Sequence, residues 1–212
     1  MTRIADVWRA GGLKQLWFRS LARTVYRRAV LVEHSLDAPP ASVTSRASVE
    51  IGLLKERDAA DYLRFRQNIG SADFHCRLQQ RHVCFAAWHE GRIVSAAWIA
   101  TGRVWIEYLA REIELARDEA YLYESFTAPA FRGNNIPALR GAHEARYFRD
   151  AGYRRLVAVI MPENAAGLRH AEKAGWNAFG MMGYVKLGAW RWDFCRADPK
   201  SRPPGEAARP SC

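Results

Sequence analysis

One stretch of this chain has the residue types to hold an anion: Thr127-Ala-Pro-Ala-Phe-Arg-Gly-Asn-Asn-Ile-Pro137. It joins an expected strand to an expected helix. A loop at a helix N-terminus presents unpaired backbone N–H groups and the positive end of the helix dipole. Gly133 permits close backbone approach, Arg132 adds a cation at the rim, and Asn135 can cap the helix. Every strand-to-helix loop shares part of this, and neither GxGxxG nor GxxxxGK[ST] is present. Other reactive side chains are less ordered in sequence. His75, Cys76, His82 and Cys84 invite a metal reading, but their spacing fits no closed zinc pattern. Cys84 lies in the apolar run VCFAAW and reads as core. His143 and His170 fall on expected helices at no catalytic spacing. Trp190, Trp192 and Phe194 alternate as a strand does, which assigns them to core or cleft lining.

The elements that must position that loop follow from periodicity. A strand is expected at 49–54, helices at 59–67 and 71–81, and a meander through 82–89, 92–101 and 104–109 with a turn at Glu90-Gly91. A further strand covers 119–127. The helix 136–151 ends at Gly152, and the unbroken apolar run LVAVIM at 156–161 suits a strand buried on both faces. Pro162 stops it; a helix 164–174 ends at Gly175, and strands near 177–187 and 189–194 close the block. Strand 119–127, helix 136–151 and strand 156–161 therefore form a βαβ unit with a right-handed crossover. The expected class is α+β: a mixed, mostly antiparallel sheet with helices on both faces.

Residues 121–194 resemble the acyl-CoA-binding half of the GNAT superfamily of N-acetyltransferases. That family's loop reads Val-x-Pro-x-[Tyr/Phe]-Arg-Gly-x-Gly, against Thr127-Ala-Pro129-Ala-Phe131-Arg132-Gly133-Asn-Asn135 here. Its later motif, Asn-x-x-[Ala/Ser]-x-x-x-x-Glu-Lys-x-Gly-Phe, is met by Asn164 through Glu172, Lys173, Gly175 and Trp176. The resemblance implies acyl-CoA as co-substrate and no metal. It puts the pyrophosphate on backbone N–H groups of Arg132, Gly133, Asn134, Asn135 and Ile136. Main chain at Phe126 and Thr127 would pair with pantetheine as an added strand does. Asn164 would bond near the thioester, although an N-cap role after Pro162 explains an Asn there equally well. Departures from the pattern bear on the chemistry. Asn135 replaces a glycine, Pro137 removes a donor, and Ala171 stands where many relatives carry a Tyr that protonates the leaving thiolate.

The implied chemistry needs a neutral amine, hence a base. Glu124, on the strand leading to the loop, is the candidate base, with Tyr123 in reserve as a substrate-site hydroxyl. Strict alternation sends Tyr121, Tyr123 and Ser125 to one face and Leu122, Glu124 and Phe126 to the other, so Glu124 could also be an opposite-face carboxylate. A bulge near Phe126 would change that parity. The expected activity is transfer of an acetyl or other acyl group from CoA to a primary amine of a small molecule or peptide. The alternative is a CoA-binding or membrane-associated module without catalysis.

Composition bounds the rest. The chain has 212 residues, 49% of them apolar, and no apolar run approaches a spanning helix. Four cysteines without CxxC spacing and no secretory h-region point to a reducing cytoplasm. The net charge of +10 favours anionic partners; for nucleic acid, charge is the only argument. Residues 1–32 hold seven Lys or Arg against the single acid Asp6, so they carry six of those ten charges. Within them Leu13, Leu16, Trp17, Leu21 and Val25 form one apolar face of an expected helix from Gly12 to Arg28. That face, between Leu13 and Arg28, could lie on an anionic membrane surface, placing the protein at the membrane periphery, or pack on the domain or a second subunit of a homodimer. The expected layout is a basic helix, short strand and linker at 1–47, the acyltransferase-like domain at 48–195, and a disordered tail at 196–212.

Overall fold

A computed structural model describes residues 24–40 and 42–197. Ten strands and four helices follow in chain order: β1 (Thr24–Ser35), β2 (Glu50–Leu53), α1 (Ala59–Phe65), α2 (Ser71–Gln79), β3 (Val83–His89), β4 (Arg92–Thr101), β5 (Arg103–Ile106), β6 (Arg111–Glu114), β7 (Glu119–Thr127), α3 (Ile136–Asp150), β8 (Arg155–Ile160), α4 (Ala165–Lys173), β9 (Asn177–Leu187) and β10 (Trp190–Ala197). Eight strands form one sheet in the order β10-β9-β1-β8-β7-β4-β3-β2, and β5 pairs with β6 as a separate ribbon. Every described pairing is antiparallel except β7 with β8. The expected mixed, mostly antiparallel α+β class is what forms.

The core has two sides. On one, Tyr62 and Phe74 from α1 and α2 pack around Trp98 of β4, whose indole N–H donates to the Tyr62 hydroxyl at 2.6 Å. The ribbon covers the same side farther along, where Ile106 and Ile113 meet Leu31, Val157 and Met182. On the other side Ala145 and Phe148 of α3 close over Leu156, Ile99 and Leu36. Cys84 is buried in the core as its apolar run implied. Its thiol is pushed up in pKa by burial.

The N-terminal expectation needs correction. Residues 24–28, read as the end of a helix, open β1 instead, and β1 lies inside the sheet between β9 and β8. Its register runs from Thr24↔Leu187 to Glu33↔Asn177 on one flank and from Val30↔Ile160 to Ser35↔Arg155 on the other. Tertiary pairing on both flanks, with Ala29, Leu31 and Val32 buried, overrides a helical spacing that extends only a few residues into this segment. A boundary at residue 48 therefore divides one sheet. The remainder of the proposed N-terminal helix, and the tail from 198, lie outside the described residues.

Two smaller differences concern edges. The expected strand 104–109 stops at Ile106, turns at Glu107–Leu109 with Ala110 at φ 44°, and returns as β6. Trp190 and Trp192 are not core: β10 is an edge strand, and they stand 71% and 55% exposed, stacked on one another.

Candidate functional site

β7 and β8 run parallel but share described rungs only at Glu119↔Arg155, Ala120↔Leu156 and Tyr121↔Val157. β7 continues to Thr127 and β8 to Ile160, so their facing edges past that last rung lie open. The other flank of β7 stays paired with β4, through Trp98↔Tyr123, Ala96↔Phe126 and Ser95↔Thr127, with a register shift between Ala96 and Trp98. Two residues of β7, Glu124 and Ser125, thus stand against Ala97 alone. This is a bulge, and Glu124 takes φ 49° within it.

The bulge re-aims side chains as the sequence parity left open. Glu124 joins Tyr123 on the α1–α2 side, while Ser125 turns to α3. Both Glu124 oxygens accept from Arg77 of α2, at 2.7 and 2.8 Å, and Arg66 approaches to 3.8 Å. The Arg77 guanidinium also lies over the rings of Trp98 and Tyr123. The Tyr123 hydroxyl meets His82 Nδ1 at 2.6 Å. Burial, then the Arg77 charge, lowers the His82 pKa below its ordinary value, and burial raises that of Tyr123. At neutral pH this is a neutral imidazole hydrogen-bonded to a protonated phenol.

Behind the bulge, on the α3 side, lies a buried polar brace. Arg140 and Glu144, four residues apart on α3, are 2% and 1% exposed and pair at 2.7 Å. Arg140 also donates to Ser95 of β4 and, at 2.6 Å, to Ser125 in the bulge. Ser95 and Thr127 hydroxyls meet at 2.9 Å. Burial raises the Glu144 pKa, against the lowering effect of Arg140. The helix after the loop is thereby tied to the two strands before it.

The loop between β7 and α3 turns sharply. Pro129–Phe131 form one 3-10 turn, Gly133 has φ 80° with open space where a side chain would stand, and Asn135 is left-handed at φ 62°. Asn135 occupies the cap position without capping; its amide donates to Thr44 O at 2.9 Å. The Asn134 carbonyl accepts from Ser45 Oγ at 2.8 Å and Arg46 N at 3.0 Å. The expected linker thus packs against the loop, and no Asn135 side chain blocks the first-turn N–H groups of α3. Arg132 donates from Nε to Thr127 O at 3.3 Å. Across the opening, Asn164 Oδ1 accepts from Gly167 N at 2.9 Å and caps α4. A Cβ at position 167 would meet the Asn164 amide at 2.5 Å, so a larger residue there would displace the capping side chain.

The structure thus gathers Tyr123, Glu124, Phe126, Thr127 and Arg132–Ile136 along one strand and its loop, with Asn164 opening α4 after β8. Sequence reasoning missed Arg77, His82 as a partner of Tyr123, and the Arg140 brace. The Arg140-x-x-x-Glu144 spacing was the one readable signal among these. Ala171 is 9% exposed and offers no hydroxyl. No group of three or more potential metal ligands occurs among the described residues.

No protein-family model matches the chain, and no curated protein matches it. Solved structures do match in fold. A GNAT-family protein from Novosphingobium aromaticivorans gives a TM-score of 0.53 at 18% identity, over 75% of this chain and 64% of that one. The aminoglycoside N-acetyltransferase AAC(6')-Iy, solved in complex with CoA, gives 0.51 at 17% identity, over 63% of this chain and 91% of that one. A glucosamine N-acetyltransferase region in a fungal multi-domain GH3 β-N-acetylglucosaminidase gives 0.54 at 13% identity, over 79% of this chain and 22% of that one. The chain thus spans less than two thirds of the first of these proteins. Its fold is that of the GNAT superfamily.

Proposed function

We propose that this protein transfers an acyl group from acyl-CoA to a primary amine by direct attack. The observation that carries the reading is the open edge between β7 and β8 past Tyr121↔Val157, leading to the glycine loop at the α3 N-terminus. An extended pantetheine arm fits that edge as a short added strand, taking hydrogen bonds from the main chain of Phe126 and Thr127. A pyrophosphate fits the backbone N–H groups from Gly133 to Ile136, the Arg132 N–H already donating to Pro129 O at 3.3 Å; Gly133 leaves room for close approach and Pro137 withholds one donor. Asn164 keeps its amide nitrogen for the thioester end while its oxygen caps α4.

The reaction joins the amine nitrogen to the acyl carbon and breaks the carbon–sulfur bond. One proton leaves the amine and one is taken up by the thiolate. Glu124 serves as the base, directly or through water, with Arg77 fixing the direction of its carboxylate. Tyr123, backed by neutral His82, supplies the hydroxyl that Ala171 does not. Main-chain N–H groups at the bulge face the developing oxyanion. The match to N-acetyltransferase folds supports this reading; the acceptor beyond a primary amine is set by surfaces outside the shared fold. A panel of small-molecule and peptide amines tests it. Amine-dependent release of free CoA thiol from acetyl-CoA is expected with at least one class, and release independent of amine would contradict transfer.

A further inference from the structure

A cavity of about 40 Å³ lies between the sheet and the β5–β6 ribbon, lined by Leu31, Ile113, Tyr121, Val157, Val159 and Met182 among others. It begins where the acyl-CoA reading needs space. Tyr121 and Val157 form the last rung between β7 and β8, and Val159 is the next residue on that face of β8. From Val159 back to Arg155 the lining follows β8 for about 13 Å, at roughly 3.3 Å per residue. By the same measure one water needs roughly 10–15 Å³, so there is room for about three or four atoms.

The walls say what those atoms are. They are aliphatic or aromatic over most of their area, and the charges at the far end are already paired. Arg155 bonds Glu119 and Glu33, and Glu119 also accepts from Ala116 N at 3.0 Å. Beyond that paired cluster the lining side chains with oxygen are Tyr121 and Glu114, and the rest is apolar surface against which a hydrocarbon needs no partner. Glu114 lines the same cavity but is exposed. We propose that this cavity receives the acyl chain, and that the protein accepts propionyl- and butyryl-CoA in preference to acetyl-CoA. This rests on the acyl-CoA reading and adds to it the length and polarity of the transferred group.

Calorimetric titration of the full chain with CoA and with acetyl-, propionyl-, butyryl- and octanoyl-CoA tests it without an acceptor. Kd should fall about fourfold for each methylene from acetyl to butyryl, the ratio given by about 0.8 kcal/mol per buried CH2. It should rise again at octanoyl, which exceeds the space. Filling the cavity from the ribbon side with Ile113→Phe should bring butyryl-CoA back to the acetyl-CoA affinity and leave CoA itself unchanged. Leu115→Trp repeats the test from the loop after β6 should the first variant fold poorly. Binding of CoA with no gain from acetyl to butyryl overturns the acyl pocket while leaving the CoA reading intact. A gain that survives both filled variants also overturns it. Absence of binding by every CoA compound would remove both readings together.

Discussion

Glu124 holds a left-handed backbone that a non-glycine residue keeps only when its surroundings impose it, at a cost of about 1–3 kcal/mol. Those surroundings are Arg77 on its carboxylate and the Arg140 bond to neighbouring Ser125. Such strain beside an open strand edge fits a residue placed for chemistry. Glu124→Gln preserves the shape and removes the charge. Turnover should drop on the order of 10²-fold at neutral pH and recover partly at high pH, as free amine accumulates. A pH–rate profile parallel to the parent's would take Glu124 out of proton transfer. Little of this residue's setting was readable in advance. Its position before the loop was plain, but its face depended on a bulge, and Arg77 lies 47 residues away on a helix with no spacing that links the two.

The elements carry the site through α3, which supplies both the loop-facing N-terminus and the Arg140–Glu144 brace. Removing one partner of a buried ion pair leaves the other uncompensated, at about 3–5 kcal/mol. Arg140→Met should cost that much, since Glu144 stays buried and Ser95 and Ser125 each lose a donor. The double variant Arg140→Met with Glu144→Leu should recover a large part of the loss. Denaturant melts of the three proteins check this; a double variant as unstable as the single one would mean that the serine bonds, not the ion pair, hold the brace. These elements were the most legible part of the sequence. A 3.6-residue period marked α3, and unbroken or alternating apolar runs marked β7, β8 and β9 to within about a residue. The start of β1 and the return strand β6 were not legible. Each exists through partners far along the chain, β9 and β8 for one and β5 for the other, and local pattern does not report pairing.

At the scale of the molecule, buried titratable groups set the pH range of stability. Cys84, Tyr121 and Tyr123 are raised by burial, and Tyr62 is raised to about 12 by burial despite its bond to Trp98. Each ionises in the unfolded chain before the folded one, so its stabilisation is complete below the unfolded value and is lost as pH rises. For Cys84 the loss begins near the ordinary thiol value of 9.0. Its replacement by Ala should lower the melting temperature at pH 8 by leaving a small cavity, yet flatten the decline between about pH 8 and 10. Equal slopes in parent and variant would show that the thiol does not contribute. In the opposite direction, His82, His143 and His170 are lowered by burial and nearby cations, so their stabilisation is lost as pH falls below about 6.5, the ordinary histidine value.

The net charge of +10 favours an anionic ligand before any contact forms, and the open edge of β7 with its glycine loop supplies the place for one. Titration calorimetry of the full chain with acetyl-CoA tests that directly. One site per chain is expected, and at least a tenfold weaker site in Gly133→Val, where a branched side chain at φ 80° is strained and obstructs the phosphate. No heat of binding up to millimolar acetyl-CoA, or the same affinity in Gly133→Val, would contradict it.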